Sequence, residues 1–367
     1  MAGRIVILGS GSWGMALANL LAPASLEVLL WPPLPHEYEA LVRTRAHPVL
    51  LPGVSLDPRI TILPEPVLDG DNLHVLVVVP SHAVREVVSR MRFLSDPGPT
   101  STVICATKGL EEGSLLRMSQ VLDQVLPDPW RGRVVTLSGP SLADEVARGV
   151  PTAAVVASPD EQVAAHAQHI LARERFRVYV TDDLVGVEIA GALKNVIALA
   201  AGISDGLGYG DNTKGALLTR GMVEIARLGA VMGAREKTFA GLAGMGDLIT
   251  TCVSKHSRNR HVGEQIGRGR QLSEVLAGMT MVAEGVRTTR AALALSLLHD
   301  VVMPITAQVH RILFEGLAPS QAMTELMLRD PKTEDGRSLS LIRARSESAG
   351  SLNQDRPGRR EAGNGES

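Results

Sequence analysis

Lys194 lies in the segment Gly186-Val-Glu-Ile-Ala-Gly-Ala-Leu-Lys-Asn-Val-Ile-Ala-Leu-Ala-Ala201, with Ala190, Gly191, Ile197 and Ala198 three and four residues away. None of these is a carboxylate, so no ion pair within a helix accounts for the lysine. Small neighbours leave a shallow surface that a ligand can approach. A lysine in such surroundings is desolvated, which lowers its pKa toward the range of a general acid or base. The competing reading is a lysine at a helix edge whose ammonium snorkels to water. Two later segments bear on the choice. Gly244-Met-Gly-Asp-Leu248 puts Asp247 in a glycine-rich turn, where a carboxylate either orients a lysine ammonium or caps a helix. Ser257-Arg258-Asn259-Arg260 reads as a polar, doubly basic loop before a helix. Arginine suits two-pronged phosphate binding, and a solvated basic loop is the alternative.

A second constellation is Gly9-Ser10-Gly11-Ser12-Trp13-Gly14, which follows an apolar strand and precedes a helix expected to begin near Met15. In a dinucleotide site the first glycine permits the tight turn, the second admits the pyrophosphate to the backbone, and the third lets helix pack on strand. The helix N-terminus then offers free N–H groups and a positive dipole end. At the adenosine end the second strand stops at Trp31 and runs into Pro32-Pro33, with neither an acid nor an arginine at the strand end. His36, Arg43 and Arg45 follow nearby. The expectation is NAD or NADP as cofactor, with a weak lean to NAD(H) of roughly 1 kcal/mol, because no cation is placed for a 2′-phosphate and the prolines offer no N–H.

The elements that must position these groups fall into two textures. Arg4–Leu8, Glu27–Trp31, Val75–Val79, Thr102–Cys105, Val134–Leu137, Ala153–Ala157 and Arg177–Val180 read as strands alternating with helices. Several are continuously apolar, as strands of a parallel sheet covered on both faces must be. From Gly186 onward, helical segments rich in Ala, Leu and Gly follow one another. The pattern predicts an α/β Rossmann-like doubly wound domain (1–185) followed by an all-α C-terminal domain (186–330). The tail 331–367, dominated by Arg, Ser, Glu, Gly and Asn, is expected to be disordered. Thr107-Lys108-Gly109 and Ser138-Gly139-Pro140-Ser141 each end a strand, where ligands sit in such sheets, so both should face a cleft toward the second domain.

Composition narrows the function classes. The 367 residues are 45% hydrophobic with a net charge of -2, and no basic stripe for nucleic acid is visible. Two distant cysteines, Cys105 and Cys252, make no disulfide framework and suit a reducing cytosol. The glycines at 9, 11 and 14 interrupt the first apolar run, so it reads as strand, turn and helix rather than an export signal. No uninterrupted run of 18 apolar residues suggests an integral membrane segment. No metal site is expected. The anticipated partner is a small-molecule substrate, with a homodimer left open.

Taken together, the chain resembles the bacterial-type NAD(P)-dependent glycerol-3-phosphate dehydrogenase family over about residues 4–328. The resemblance rests on the glycine motif at 9–14, Val-Val-Val-Pro-Ser-His at 77–82, Ala-Thr-Lys-Gly-Leu-Glu at 106–111 and Ser-Gly-Pro-Ser at 138–141. It continues with Gly-Ala-Leu-Lys-Asn-Val-Ile-Ala at 191–198, Gly-Met-Gly-Asp-Leu at 244–248, Ser-Arg-Asn-Arg at 257–260, Val-Ala-Glu-Gly at 282–285 and Met-Pro-Ile-Thr at 303–306. It implies reversible hydride transfer between sn-glycerol 3-phosphate and dihydroxyacetone phosphate, feeding phospholipid synthesis. It also implies that Lys194 takes the proton on oxidation, with Asp247 beside it. Gly139, Ser141, Ser257, Arg258 and Asn259 would line the substrate site, and Lys108 would lie between substrate and cofactor. Gly9, Gly11, Ser12, Trp13, Gly14, Ala143, Val282 and Glu284 would meet the cofactor, with Arg258 shared. Pro33 stands where the family often has a basic residue near the adenosine ribose. Two rival readings remain: a dehydrogenase of the 6-phosphogluconate or 3-hydroxyacid type, and a nucleotide-binding regulatory protein without catalysis. The Ser-Arg-Asn-Arg segment favours the glycerol phosphate reading over the first, and the filled catalytic-type positions weigh against the second.

Overall fold

The computed structural model describes residues 3–66, 68–93, 96–330 and 333–334. Apart from residues 333 and 334, the tail expected at 331–367 lies outside the described residues. Two compact units divide the chain, Met1–Ser320 and Gln321–Ser367, and among the described residues the helix Pro319–Met327 is the one element that reaches into the second.

The amino-terminal half builds one eight-stranded sheet. In chain order it contains β1 (Arg4–Leu8), α1 (Ser12–Leu21), β2 (Glu27–Trp31), α2 (Pro35–Thr44), β3 (Thr61–Ile62), β4 (Leu73–Val77) and α3 (Val84–Ser89). These are followed by β5 (Thr102–Cys105), α4 (Met118–Val125), β6 (Val134–Ser138), α5 (Ala143–Ala147), β7 (Thr152–Ala157), α6 (Glu161–Leu171) and β8 (Phe176–Thr181). The strand order is β3-β2-β1-β4-β5-β6-β7-β8. Alternation along each strand splits the apolar residues between two cores. Ile5 and Ile7 of β1 join one with Val28, Leu30, Leu76 and Ile104. Val6 and Leu8 join the other with Leu29, Val75, Val77 and Val103. Helices cover both cores, so burial on two faces selects continuous apolar strands.

Four details differ from the sequence expectation, the first being that β4 spans Leu73–Val77 rather than Val75–Val79. The helix after the glycine motif begins at Ser12 rather than near Met15, so Ser12, Trp13 and Gly14 are already helical. A two-residue edge strand, β3, pairs with β2. The sheet is parallel except that β7 runs antiparallel to β6. The connection from β6 carries only the five-residue α5, which packs against α1, so no full crossover returns the chain in the parallel sense.

The carboxyl half is helical: α7 (Leu184–Gly206), α8 (Asp211–Val231), α9 (Glu236–Phe239), a π-helical segment (Leu242–Gly246), α10 (Asp247–Val253), α11 (Arg258–Gly267), α12 (Leu272–Ala277), α13 (Glu284–Leu298), α14 (Pro304–Phe314) and α15 (Pro319–Met327). By length and composition α7 could cross a membrane, but 89% of its apolar window is buried by protein, which makes it the central core helix. Its small residues permit close packing on α11. A Cβ on Gly202 would stand 2.0 Å from the carbonyl oxygen of Arg260, and one on Gly263 would stand 2.1 Å from that of Leu199. Only glycine admits backbones so near. At its amino end α7 is fastened to α4 by buried Glu188, which pairs with Arg117 and accepts from the backbone N–H (2.7 Å) and hydroxyl (2.6 Å) of Ser119.

Candidate active site

The middle of α7 delivers Lys194 into the protein rather than to solvent. Its Nζ donates to Asp247 Oδ1 at 2.6 Å and to Thr251 Oγ1 at 2.6 Å. Asp247 is the first residue of α10 and follows the π-helical segment, in which the Gly246 N–H donates to the Gly241 carbonyl at 3.1 Å. The expected glycine-rich turn is therefore helical, and Asp247 and Thr251 share one face at i and i+4. The second carboxylate oxygen of Asp247 accepts from Lys108 Nζ at 2.8 Å, and Lys108 also donates to the Gly139 carbonyl at 2.9 Å. One carboxylate thus lies between two ammonium groups. These groups come from the ends of β5 and β6 and from two helices of the other half.

Burial sets the protonation behaviour of this cluster. The side chains of Lys194 and Asp247 are 9% and 3% exposed. Desolvation pushes the Lys194 ammonium down to about 8, although Asp247 opposes it and Lys108 assists it. Burial acts on Asp247 in the opposite sense and would raise its pKa. The charges of Lys108 and Lys194 outweigh that and hold the carboxyl below its ordinary value.

A hydrogen-bonded arc joins this cluster to the other candidates. Asn195, next to Lys194, accepts from Asn259 Nδ2 at 2.8 Å, and Asn259 Oδ1 accepts from the Gly285 N–H at 2.9 Å. Beside Gly285, the Glu284 carboxylate accepts from the Ser81 N–H (2.9 Å) and hydroxyl (2.5 Å). Gly109 closes the arc beside Lys108: a Cβ there would stand 2.6 Å from Ser81 Cβ and 3.4 Å from Glu284 Oε2. The Ser-Arg-Asn-Arg segment, expected as a loop, is the start of α11. Ser257 caps it by accepting from the Arg260 N–H at 3.2 Å. Arg258 has an exposed side chain, so although crowding by protein lowers its pKa and Glu284 opposes that, its guanidinium stays charged. Val282 is half-buried just ahead of α13, and Ser141 donates to the Gly139 carbonyl at 3.1 Å.

The glycine motif forms a cradle at the end of β1. Gly9 has φ +122°, and a Cβ on Gly14 would stand 2.0 Å from the Gly9 carbonyl oxygen. Both features hold α1 tightly against the strand. Around Gly11 there is no protein atom within 4 Å of an added Cβ, which leaves room for a diphosphate to approach the backbone. Gly11 caps α1 without a side-chain bond, so the first N–H groups face that opening. Trp13 is partly buried against the sheet core. Ala143 opens α5, which packs on α1. Pro32 is buried and Pro33 half-buried after β2. These residues fit a dinucleotide.

Asn195, Thr251, Ser81 and Glu37 in these arrangements were not candidates from the sequence. Thr251 stands at i+4 from Asp247, a relation visible only once that segment is known to be helical. Ser81 lies within the Val-Pro-Ser-His segment but shows no partner in one dimension. Glu37, in the first turn of α2, accepts from the buried Ser10 hydroxyl at 2.7 Å. Its signal was spacing, an acid roughly 20 residues past the glycine motif.

Comparison with known proteins gives two family matches: "NAD-dependent glycerol-3-phosphate dehydrogenase N-terminus" over residues 4–164 and "NAD-dependent glycerol-3-phosphate dehydrogenase C-terminus" over residues 183–324. A glycerol-3-phosphate dehydrogenase [NAD(P)+] of Pelotomaculum thermopropionicum is 49% identical over 347 residues, spanning 94% of this chain and 98% of that protein. One from Geobacter metallireducens is 49% identical over 338 residues, spanning 92% and 100%. Among solved structures, the glycerol-3-phosphate dehydrogenase of Coxiella burnetii superposes with a TM-score of 0.83 at 39% identity, covering 89% of this chain and 99% of that one.

Proposed function

The chain belongs to the NAD-dependent glycerol-3-phosphate dehydrogenase family, and we propose that the Lys194–Asp247–Lys108 cluster is where it reduces dihydroxyacetone phosphate to sn-glycerol 3-phosphate. The enzyme is an NAD(P)-dependent oxidoreductase, and its product is the glycerol backbone of phospholipids. The single observation that carries the site assignment is a buried, carboxylate-held lysine with a pKa near 8, facing the strand ends of the dinucleotide-binding half.

Residues 1–185 hold the cofactor and 186–330 supply catalysis in this reading. Gly9, Gly11, Ser12, Trp13 and Gly14 hold the pyrophosphate, which lies against the open start of α1. When bound, the reduced dinucleotide supplies the hydride. Lys194 holds its proton at Nζ, aimed by Asp247 and Thr251, and gives it to the oxygen that becomes the C2 hydroxyl. In the reverse direction neutral Lys194 takes that proton. A pKa near 8 lets it do either close to neutral pH. Arg258 is assigned to phosphate, two of whose oxygens its planar fork can meet at once. Ser257 and Asn259 hold the start of α11 in place, with Gly139 and Ser141 forming the opposite wall. Val282 and Ala143 line the cofactor side, and Glu284 acts there through its hold on Ser81. Two buried free cysteines suit a cytoplasmic location. A homodimer belongs to the same reading, with exposed Leu297, Leu298 and Val302 as apolar surface for a second copy to cover.

The test is oxidation of NADH and NADPH by the purified chain with dihydroxyacetone phosphate, beside reduction of NAD+ and NADP+ with glycerol 3-phosphate, 6-phosphogluconate and a 3-hydroxyacid in separate assays. Turnover confined to the first substrate pair is expected. Turnover with either of the others alone would overturn the assignment.

A further inference from the structure

We infer that Glu37 reads the 2′ position of the adenosine ribose and makes this enzyme select NAD(H) over NADP(H). The inference rests on the glycine motif being the dinucleotide site. The Gly9 N–H donates to the Trp31 carbonyl at 3.0 Å, so the ends of β1 and β2 are joined at the point where the glycine turn begins. Ser10 follows, is 1% exposed, and donates its hydroxyl to Glu37 Oε2 at 2.7 Å. The carboxylate, 27 residues beyond Ser10, is thereby pinned beside the turn that admits the dinucleotide. In doubly wound folds an acid near this place accepts from the ribose hydroxyls. Here it is delivered by the first turn of α2 rather than by the strand end, because Pro32, Pro33 and Pro35 occupy the intervening positions.

Among the described residues Glu37 Oε1 accepts from no donor and neither oxygen pairs with a cation. It is half-buried, so a ribose hydroxyl can reach it. The arginines that could neutralise a 2′-phosphate are elsewhere, and His36 beside Glu37 is an exposed imidazole. Arg45 donates to the carbonyls of Leu56, Asp57 and Ile60 and is committed to the loop after α2. Arg43 sits in the last turn of α2, about 9 Å along the axis from Glu37 and on another face. A 2′-hydroxyl donates to the free oxygen. A 2′-phosphate meets a carboxylate of like charge, with neither Arg43 nor Arg45 placed to offset it and no hydrogen to donate.

The experiment titrates the enzyme without substrate with NAD+ and NADP+, following tryptophan fluorescence, and measures kcat/KM for NADH and NADPH. Wild type, Glu37→Gln and Glu37→Ala are compared, with thermal melts confirming that each variant is folded. Discrimination on the order of 10²-fold for NAD(H) is expected in the wild type, in both binding and kcat/KM. It should shrink at least about tenfold in both variants, mainly through tighter NADP+. Equal binding of the two dinucleotides by the wild type, or discrimination unchanged in both variants, would overturn the inference. Loss of the dehydrogenase assignment would look different: no turnover with dihydroxyacetone phosphate and either cofactor, while the binding ratio still decides the role of Glu37.

Discussion

Lys194 Nζ and Asp247 Oδ1 stand 2.6 Å apart in a pair whose two side chains are almost wholly buried, and each residue comes from a different helix. A buried ammonium without that carboxylate would be strongly disfavoured. With it, the lysine stays protonated at neutral pH yet gives up its proton near 8. Replacing Lys194 with Met keeps length and apolar bulk but removes the proton carrier. Turnover should fall by ~10²–10⁴-fold while dinucleotide affinity changes little. Steady-state rates beside a cofactor titration check this, and near-normal turnover would remove Lys194 from the mechanism.

The same pair makes a signed prediction for pH. Reduction needs the protonated lysine, so kcat/KM for dihydroxyacetone phosphate should decline as pH rises through about 8, whereas oxidation of glycerol 3-phosphate should rise over that range. Asp247 raises the lysine pKa, against desolvation. Asp247→Asn therefore moves the alkaline limb of reduction to lower pH as well as slowing it. Profiles in both directions, with an unmoved limb in the variant, would show that another group titrates.

For Arg258 the expectation concerns shape rather than charge. Arg258→Lys keeps a cation at the start of α11 but loses the planar fork. The KM for dihydroxyacetone phosphate should rise about tenfold or more, as loss of one charge-assisted bond implies. Unphosphorylated dihydroxyacetone should be a poor substrate of both proteins. Should it serve as well as the ester, the phosphate lies elsewhere.

Much of this was legible before the fold was known, for reasons that vary by element. The alternation of Ile5 and Ile7 against Val6 and Leu8 marks a strand buried on both sides whatever its neighbours. Periodicity carries no direction, however, so the reversed β7 was not readable from its composition. β3 has only two residues, too few to show a period. Lys194 and Asp247 could be chosen as candidates because their local surroundings gave them no other partner. That Lys108 shares the same carboxylate is a long-range fact, fixed by how the ends of β5 and β6 meet α10. Glu37 was hidden by the prolines, which suggest a break at the place where α2 in fact brings the acid back to Ser10.

The α7–α11 contact predicts where the helical half is least tolerant. Gly263→Ala puts a methyl 2.1 Å from the Leu199 carbonyl oxygen, a backbone atom that cannot swing aside. Helix propensity alone would favour alanine by about 1 kcal/mol. The clash should outweigh it, giving net destabilisation of roughly 1–3 kcal/mol. Denaturant midpoints compare the two proteins, and a variant as stable as the wild type would mean that the helices can separate without cost.

His74 predicts how the sheet half responds to acid. It lies on β4, is 4% exposed, and its Nδ1 is 3.1 Å from Thr102 Oγ1. Burial, helped by His166, pushes its pKa from 6.5 down to about 4, so the folded protein holds the ring neutral where the unfolded chain would protonate it. Its folded pKa lies below the unfolded one. The stability that comes from keeping it neutral is therefore complete above about 6.5 and is lost as pH falls toward 4. At 1.36 kcal/mol for each pH unit of that window, the loss attributable to this residue approaches roughly 3 kcal/mol at pH 4. His74→Gln keeps a polar side chain at the position but does not titrate. It should cost stability at pH 7 and lose less between pH 7 and 4.5 than the wild type does. Urea unfolding at the two pH values measures the difference of differences. An equal loss in both proteins would mean that acid sensitivity arises from other groups and that His74 takes up its proton in the folded protein as it does in the unfolded chain.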